Sequence, residues 1–80
     1  MHCYKVLMFA GLADACGNSS LEVSLSLGAT VGDLIAAVAK QCPALKQQVF
    51  RVAVDSRYVD ESCVLPETAE VAFIPPVSGG

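Results

Sequence analysis

The chain has 80 residues, enough for one small domain. Apolar residues make up 54% and charged residues 16%, which excludes a chain disordered by composition. The net charge is −3 and the five Lys plus Arg are scattered, which argues against nucleic acid and anionic membrane surfaces, since both need clustered cations.

Tyr4 to Ala10 is β-rich and apolar on both parities, as suits a central strand covered on both faces. Gly11 to Cys16 is short and Ala-rich, enough for one helical turn, and Gly17-Asn18-Ser19 is a turn signal. Leu21 to Leu27 alternates, with Leu21, Val23, Leu25 and Leu27 on one face and Glu22, Ser24 and Ser26 on the other. That is a half-buried strand, able to pair with the first as an antiparallel hairpin. Gly28 ends it. Thr30 is placed to cap a helix, with Asp33 three residues on as a short variant of the capping box. Val31, Leu34, Ile35 and Val38 share one helical face, and Pro43 stops the helix near Gln41. Ala44 to Gln48 is long enough for a second short turn. Phe50, Val52 and Val54 alternate with Arg51 and Ala53 in a third strand. Asp55-Ser56 turns the chain into a short edge strand at Tyr58-Val59, and Val71, Phe73 and Pro75 alternate with Ala72 and Ile74 in the last.

This order predicts an α+β domain: a mixed sheet of four to five strands with one main helix packed on it. The first and last strands are the most apolar and belong side by side, in parallel, at the sheet centre. That is the ubiquitin-like β-grasp arrangement, spanning residues 1–75 and leaving 76–80 as an extended tail.

Mean hydropathy is +0.54, high enough to raise the question of a membrane. The longest run free of polar residues, Val6 to Ala13, is eight residues, whereas a spanning helix needs roughly 20. At the N-terminus, Asp14 sits where a signal cleavage or lipidation site wants a small residue. The expectation is a soluble, cytoplasmic protein. The four cysteines, Cys3, Cys16, Cys42 and Cys63, are widely spaced and the lone histidine is His2, so neither a zinc nor an iron–sulfur spacing is present. Two disulfides are arithmetically possible, but the expectation is reduced, largely buried small hydrophobes.

No Ser–His pair is credible, and adjacent Asp60-Glu61 reads as a solvated turn. The sequence also has no G-x-G-x-x-G and no P-loop. Chemistry is concentrated in the tail. Pro75 and Pro76 stiffen the exit from the sheet, and Gly79-Gly80 bring no side chains. Pro75 to Gly80 can reach about 20 Å, far enough to thread a narrow channel in another protein. A terminal carboxylate is ionised at pH 7 and is a poor electrophile. It reacts only once activated, for example as an acyl-adenylate made from ATP, after which sulfur or an amine can attack it.

The ending Glu70-Val71-Ala72-Phe73-Ile74-Pro75-Pro76-Val77-Ser78-Gly79-Gly80 closely resembles the small, sulfur-carrying subunit of molybdopterin synthase. So do Val6 to Ala10, Thr30-Val31-Gly32-Asp33-Leu34, Cys42-Pro43-Ala44-Leu45, and Val52-Ala53-Val54 followed by Tyr58-Val59. The resemblance spans essentially the whole chain. The P-P-V-S-G-G ending is its most specific part, since related carriers for thiamine and tRNA thiolation usually differ there. Departures are Ala13, where the family often has a basic residue, Asp55, where it often has Asn, and Glu67-Thr68-Ala69, where it often has Asp-Gly.

The resemblance implies a carrier without catalytic groups of its own. A ubiquitin-E1-type enzyme would adenylate Gly80, and a sulfurtransferase would convert it to a thiocarboxylate. The large catalytic subunit would use that sulfur to build the dithiolene on cyclic pyranopterin monophosphate, in a complex of two small and two large subunits. Phe9, Tyr58 and Ile74 would form the apolar contact surface, with Pro75, Pro76, Val77 and Ser78 in the tail and Gly79 beside the reacting Gly80. No cofactor would be bound by this chain; ATP is used by the activating enzyme. The rival readings are a sulfur carrier of another pathway (thiamine or tRNA thiolation), a ubiquitin-like modifier joined to lysines, and a passive interaction domain.

Overall fold

The computed structural model describes residues 2–9 and 11–75. Five strands form one mixed sheet: β1 (His2–Met8), β2 (Ser20–Leu25), β3 (Arg51–Val54), β4 (Arg57–Val59) and β5 (Val71–Ile74). Helix α1 (Gly11–Cys16) joins β1 to β2, and helix α2 (Val31–Gln41) followed by a 3-10 turn (Pro43–Gln47) joins β2 to β3. The strand order is β2-β1-β5-β3-β4. β1 and β5 run parallel at the centre, with Val6 opposite Val71 and Met8 opposite Phe73. The fold is the expected ubiquitin-like β-grasp.

Local chemistry sets the helix. The Thr30 hydroxyl accepts the Asp33 N–H at 3.2 Å, and the Asp33 carboxylate accepts the Thr30 N–H at 3.0 Å. The next two N–H groups of the first turn are taken by the 60–65 loop: Val31 donates to the Cys63 carbonyl at 2.9 Å and Gly32 to Glu61 at 3.0 Å. With its end satisfied, α2 lays Val31, Leu34, Val38 and Ala39 on the sheet. There they meet Tyr4, Val6, Met8, Val52, Val54, Val71 and Phe73 in one core that contains no buried polar or charged residue among those described. Tyr4 is polar only at its tip, and its hydroxyl donates to the Pro66 carbonyl at 3.0 Å.

Several expectations need correction. β1 is covered on one face only: Tyr4, Val6 and Met8 are buried, whereas Cys3 and Lys5 are exposed and Leu7 half-buried. A single helix layer can cover only one side of a sheet. β1 begins earlier than expected and ends at Met8, and Ala10 lies outside the described residues. β2 stops at Leu25, because Ser26 to Ala29 turns, with Ala29 donating to the Ser26 carbonyl at 3.2 Å and Gly28 at φ 85°. Leu27, expected inside, is therefore 63% exposed. Ile35 lies at the margin of the helix face and is half-buried. The cysteines depart furthest. Cys16 and Cys42 are joined as a disulfide with Cα atoms 5.6 Å apart. Cys3 is a free, exposed thiol and Cys63 a free, half-buried one. Sequence separation of 26 hides the pairing, which exists because α1 packs beside the 3-10 turn that follows α2.

Candidate partner surface and C-terminal tail

With α2 on one side, the sheet keeps a second, open face. Cross-strand partners share a face. One row across it runs Leu7, Ala72, Ala53, Tyr58, each opposite the next. A second begins with Ile74 opposite Arg51. Met8 pairs with Phe73, so one further step in that parallel register brings Phe9 level with Ile74. Phe9 is 47% exposed and Tyr58 58% exposed, and Ile74 is half-buried. Phe9, Tyr58 and Ile74, distant in sequence, thus belong to one side of the sheet.

The face is shallow because its middle is two alanines. Around Phe9, Ile74 and Tyr58 it is apolar with Arg51 set into it, while Lys5 is exposed on the same side further back along β1. The Arg51 guanidinium carbon lies 5.0 Å from the centroid of the Tyr58 ring, a cation–π geometry. The sequence alone does not point to Arg51, Leu7, Ala53 or Ala72 as surface neighbours. Strand alternation carried the signal, but only the register between β3, β5 and β1 shows that these residues lie side by side.

Pro75 follows Ile74 directly and is half-buried, at the edge of this face. The remaining tail residues named from the sequence, Pro76, Val77, Ser78, Gly79 and Gly80, lie outside the described residues. Asp60-Glu61 is a solvated turn: the Ser62 hydroxyl donates to the Asp60 carboxylate at 2.6 Å and its N–H at 3.0 Å. Those bonds hold the Asp60 pKa below the ordinary carboxylate value. Among the described residues, no group of His, Cys, Asp and Glu is placed to hold a metal ion. No helix among them is long and apolar enough to cross a membrane.

Residues 6–80 match the ThiS family. The chain is 37% identical over 79 residues to the molybdopterin synthase sulfur carrier subunit of Mycobacterium tuberculosis, covering 95% of each chain. It is 35% identical over 85 residues to small archaeal modifier protein 1 of Haloferax volcanii, covering 91% of this chain and 95% of that one. The crystal structure of that Haloferax volcanii modifier gives a TM-score of 0.86 at 27% identity, covering 98% of this chain and 99% of the other. Sequence and fold agree over nearly the whole length: this chain belongs to the ThiS family and has its ubiquitin-like β-grasp fold.

Proposed function

We propose that this protein is the sulfur carrier subunit of a molybdopterin synthase, with the Gly80 carboxylate as the sulfur-bearing group. The observation that carries the reading is that the family match runs through Gly79-Gly80, and that a relative at 37% identity is a molybdopterin synthase sulfur carrier subunit. In this reading the Gly80 carboxylate attacks the α-phosphorus of ATP on an E1-like enzyme, and pyrophosphate leaves. Sulfide delivered by a donor as HS− then attacks the acyl carbon, AMP leaves with the electron pair, the sulfur loses its proton, and a thiocarboxylate remains. The large catalytic subunit receives the tail and moves the sulfur to cyclic pyranopterin monophosphate, and water returns Gly80 to a carboxylate. The acid and base groups belong to the partners, and the carrier works in the cytoplasm, where the ATP is.

The open face fits docking on the large subunit. Phe9, Tyr58 and Ile74 present apolar area without deep relief, Arg51 adds one oriented cation, and the tail departs from the edge of the same surface at Pro75. Docking there would aim the tail and keep the core undisturbed, in a complex of two small and two large subunits.

A second reading has its own support: a relative at 35% identity is small archaeal modifier protein 1. As a modifier, Gly80 would be transferred to a lysine amine instead of receiving sulfur. Intact mass decides. Incubated with an E1-like enzyme, ATP and a sulfur donor, the carrier gains about 16 Da as one oxygen is replaced by sulfur. Lysine-linked conjugates with no such gain would favour the modifier, and neither product would leave a passive domain.

A further inference from the structure

The mechanism above uses no cysteine, yet Cys16 and Cys42 are paired. We propose that this pair is a reversible, redox-sensitive latch that holds α1 against the C-terminal end of α2. Cys16 is the last residue of α1, and Cys42 is the C-cap of α2, where its N–H donates to the Val38 carbonyl at 2.9 Å. The Cα separation of 5.6 Å falls within the window of roughly 4.4–6.8 Å that a disulfide requires.

Three features make the bond a latch and not a permanent staple. Cys16 is half-buried while Cys42 is only 7% exposed, so an incoming thiolate reaches the Cys16 sulfur first. Helix α1 has six residues and one buried side chain, Leu12. Cys42 belongs to the core cluster and Cys16 packs against it. Breaking the S–S bond removes neither side chain, and Val6, Val31, Leu34, Val38, Val71 and Phe73 pack together independently of that bond, so opening it loosens α1 and leaves the rest standing. Finally, disulfides in the cytoplasm are usually transient; this last point rests on the cytoplasmic reading above. The latch is linked to the candidate docking face through α1. Leu12 N–H donates to the Phe9 carbonyl at 3.1 Å, so the element that the latch fixes is tied to Phe9.

Closure proceeds by exchange with a low-molecular-weight disulfide. The Cys16 thiolate attacks it, forming a mixed disulfide and releasing one thiolate. The Cys42 thiolate then attacks the Cys16 sulfur and releases the second. The pair loses two electrons, the small disulfide gains them, and the two cysteine protons pass to the released thiols. A dithiol reverses both steps.

The test uses the full chain carrying C3S and C63S, equilibrated in mixtures of reduced and oxidised glutathione and quenched with N-ethylmaleimide. No label is expected at the oxidised limit, two at the reduced limit, and a return to none on reoxidation. The oxidised form should melt roughly 10–20 °C above the reduced one, from closure of the intervening loop. On reduction, amide resonances should move in residues 11–16 and around Cys42, with those of Val6, Leu34 and Val71 unmoved. A pair that dithiothreitol leaves closed in the native protein would be a permanent cross-link. A pair left open by oxidised glutathione would be no cross-link. A reduced form with an unfolded spectrum would make the bond part of the fold. Each overturns the latch. If the double variant does not fold, the natural sequence is used, with peptide mapping to locate the 16–42 link. None of these readouts depends on sulfur loading of Gly80, so the two proposals fail separately.

Discussion

Asp55 and Glu70 clasp each other: the Asp55 N–H donates to the Glu70 carbonyl at 2.9 Å, and the Glu70 N–H donates to the Asp55 carboxylate at 2.9 Å. The clasp fixes where β5 begins against β3, with Val54 opposite Val71 immediately beyond it. That register places Ala72 beside Ala53 and Ile74 beside Arg51, and so composes the open face. Asp55 and Ser56 make the turn from β3 to β4 with φ of 50° and 69°, the left-handed region in which side chains are disfavoured.

Two substitutions there should act in opposite directions. Asp55→Ala loses the acceptor and keeps a Cβ at positive φ without local hydrogen bonding, at a cost of about 1–2 kcal/mol. Ser56→Gly removes the left-handed penalty, partly offset by the greater freedom of the unfolded chain, and should gain about 0.5 kcal/mol. Urea unfolding of both variants measures this. A stabilised Asp55→Ala would show that the clasp contributes nothing.

The helix gives a graded pair. Leu34 is fully buried on the face of α2 that packs on the sheet, so Leu34→Ala should cost about 2–5 kcal/mol. Ile35 is half-buried at the margin, where truncation leaves a notch that water can enter, and Ile35→Ala should cost clearly less. Equal losses in urea melts would mean that Ile35 is covered in solution.

Much of this architecture is legible in the sequence because the decisive signals are local. Thr30 and Asp33 mark the helix start, Pro43 its end, and the apolar excess of Val6 to Ala10 and Val71 to Ile74 marks the central strands. What escaped is what depends on distant chain segments meeting. Leu27 carries the right parity for a strand that Gly28 ends two residues early. Cys16 and Cys42 meet only because α1 folds back beside the turn after α2. Family likeness points to Phe9, Tyr58 and Ile74, but only the β3–β5 register brings Arg51 beside Ile74.

Ile74→Asp should leave the fold intact and weaken association with the large subunit. In the isolated domain, a carboxylate at this position faces solvent opposite Arg51 and gains a counter-charge worth about 0–1 kcal/mol. Against an apolar partner surface the same carboxylate would be desolvated, at a cost of several kcal/mol. Circular dichroism should be unchanged while co-elution with the large subunit is lost. Full co-elution of the folded variant would remove Ile74 from the interface.

Deleting Gly80 tests the chemistry itself. The deletion moves the terminal carboxylate back by one residue, about 3.5 Å along an extended tail. Reacting atoms must approach within roughly 3–3.5 Å, and a misplacement of about 1 Å can already cost a hundredfold. Sulfur transfer should therefore be abolished. The melting temperature should stay where it is, because Phe73 is the last buried core residue among those described and the deletion falls seven residues beyond it. Binding to the large subunit should also persist through Phe9, Tyr58 and Ile74. Adding one residue after Gly80 should be as damaging, since it places the Gly80 carboxyl carbon in a peptide bond. Gly79→Val should be severe for a different reason: a β-branched side chain thickens the tail where a narrow channel must pass it. The assay is conversion of the pyranopterin precursor by the large subunit, starting from carrier exposed to the activating enzyme, ATP and a sulfur donor. A Gly80 deletion that still supports full conversion would remove the carboxylate from the mechanism and leave a binding domain.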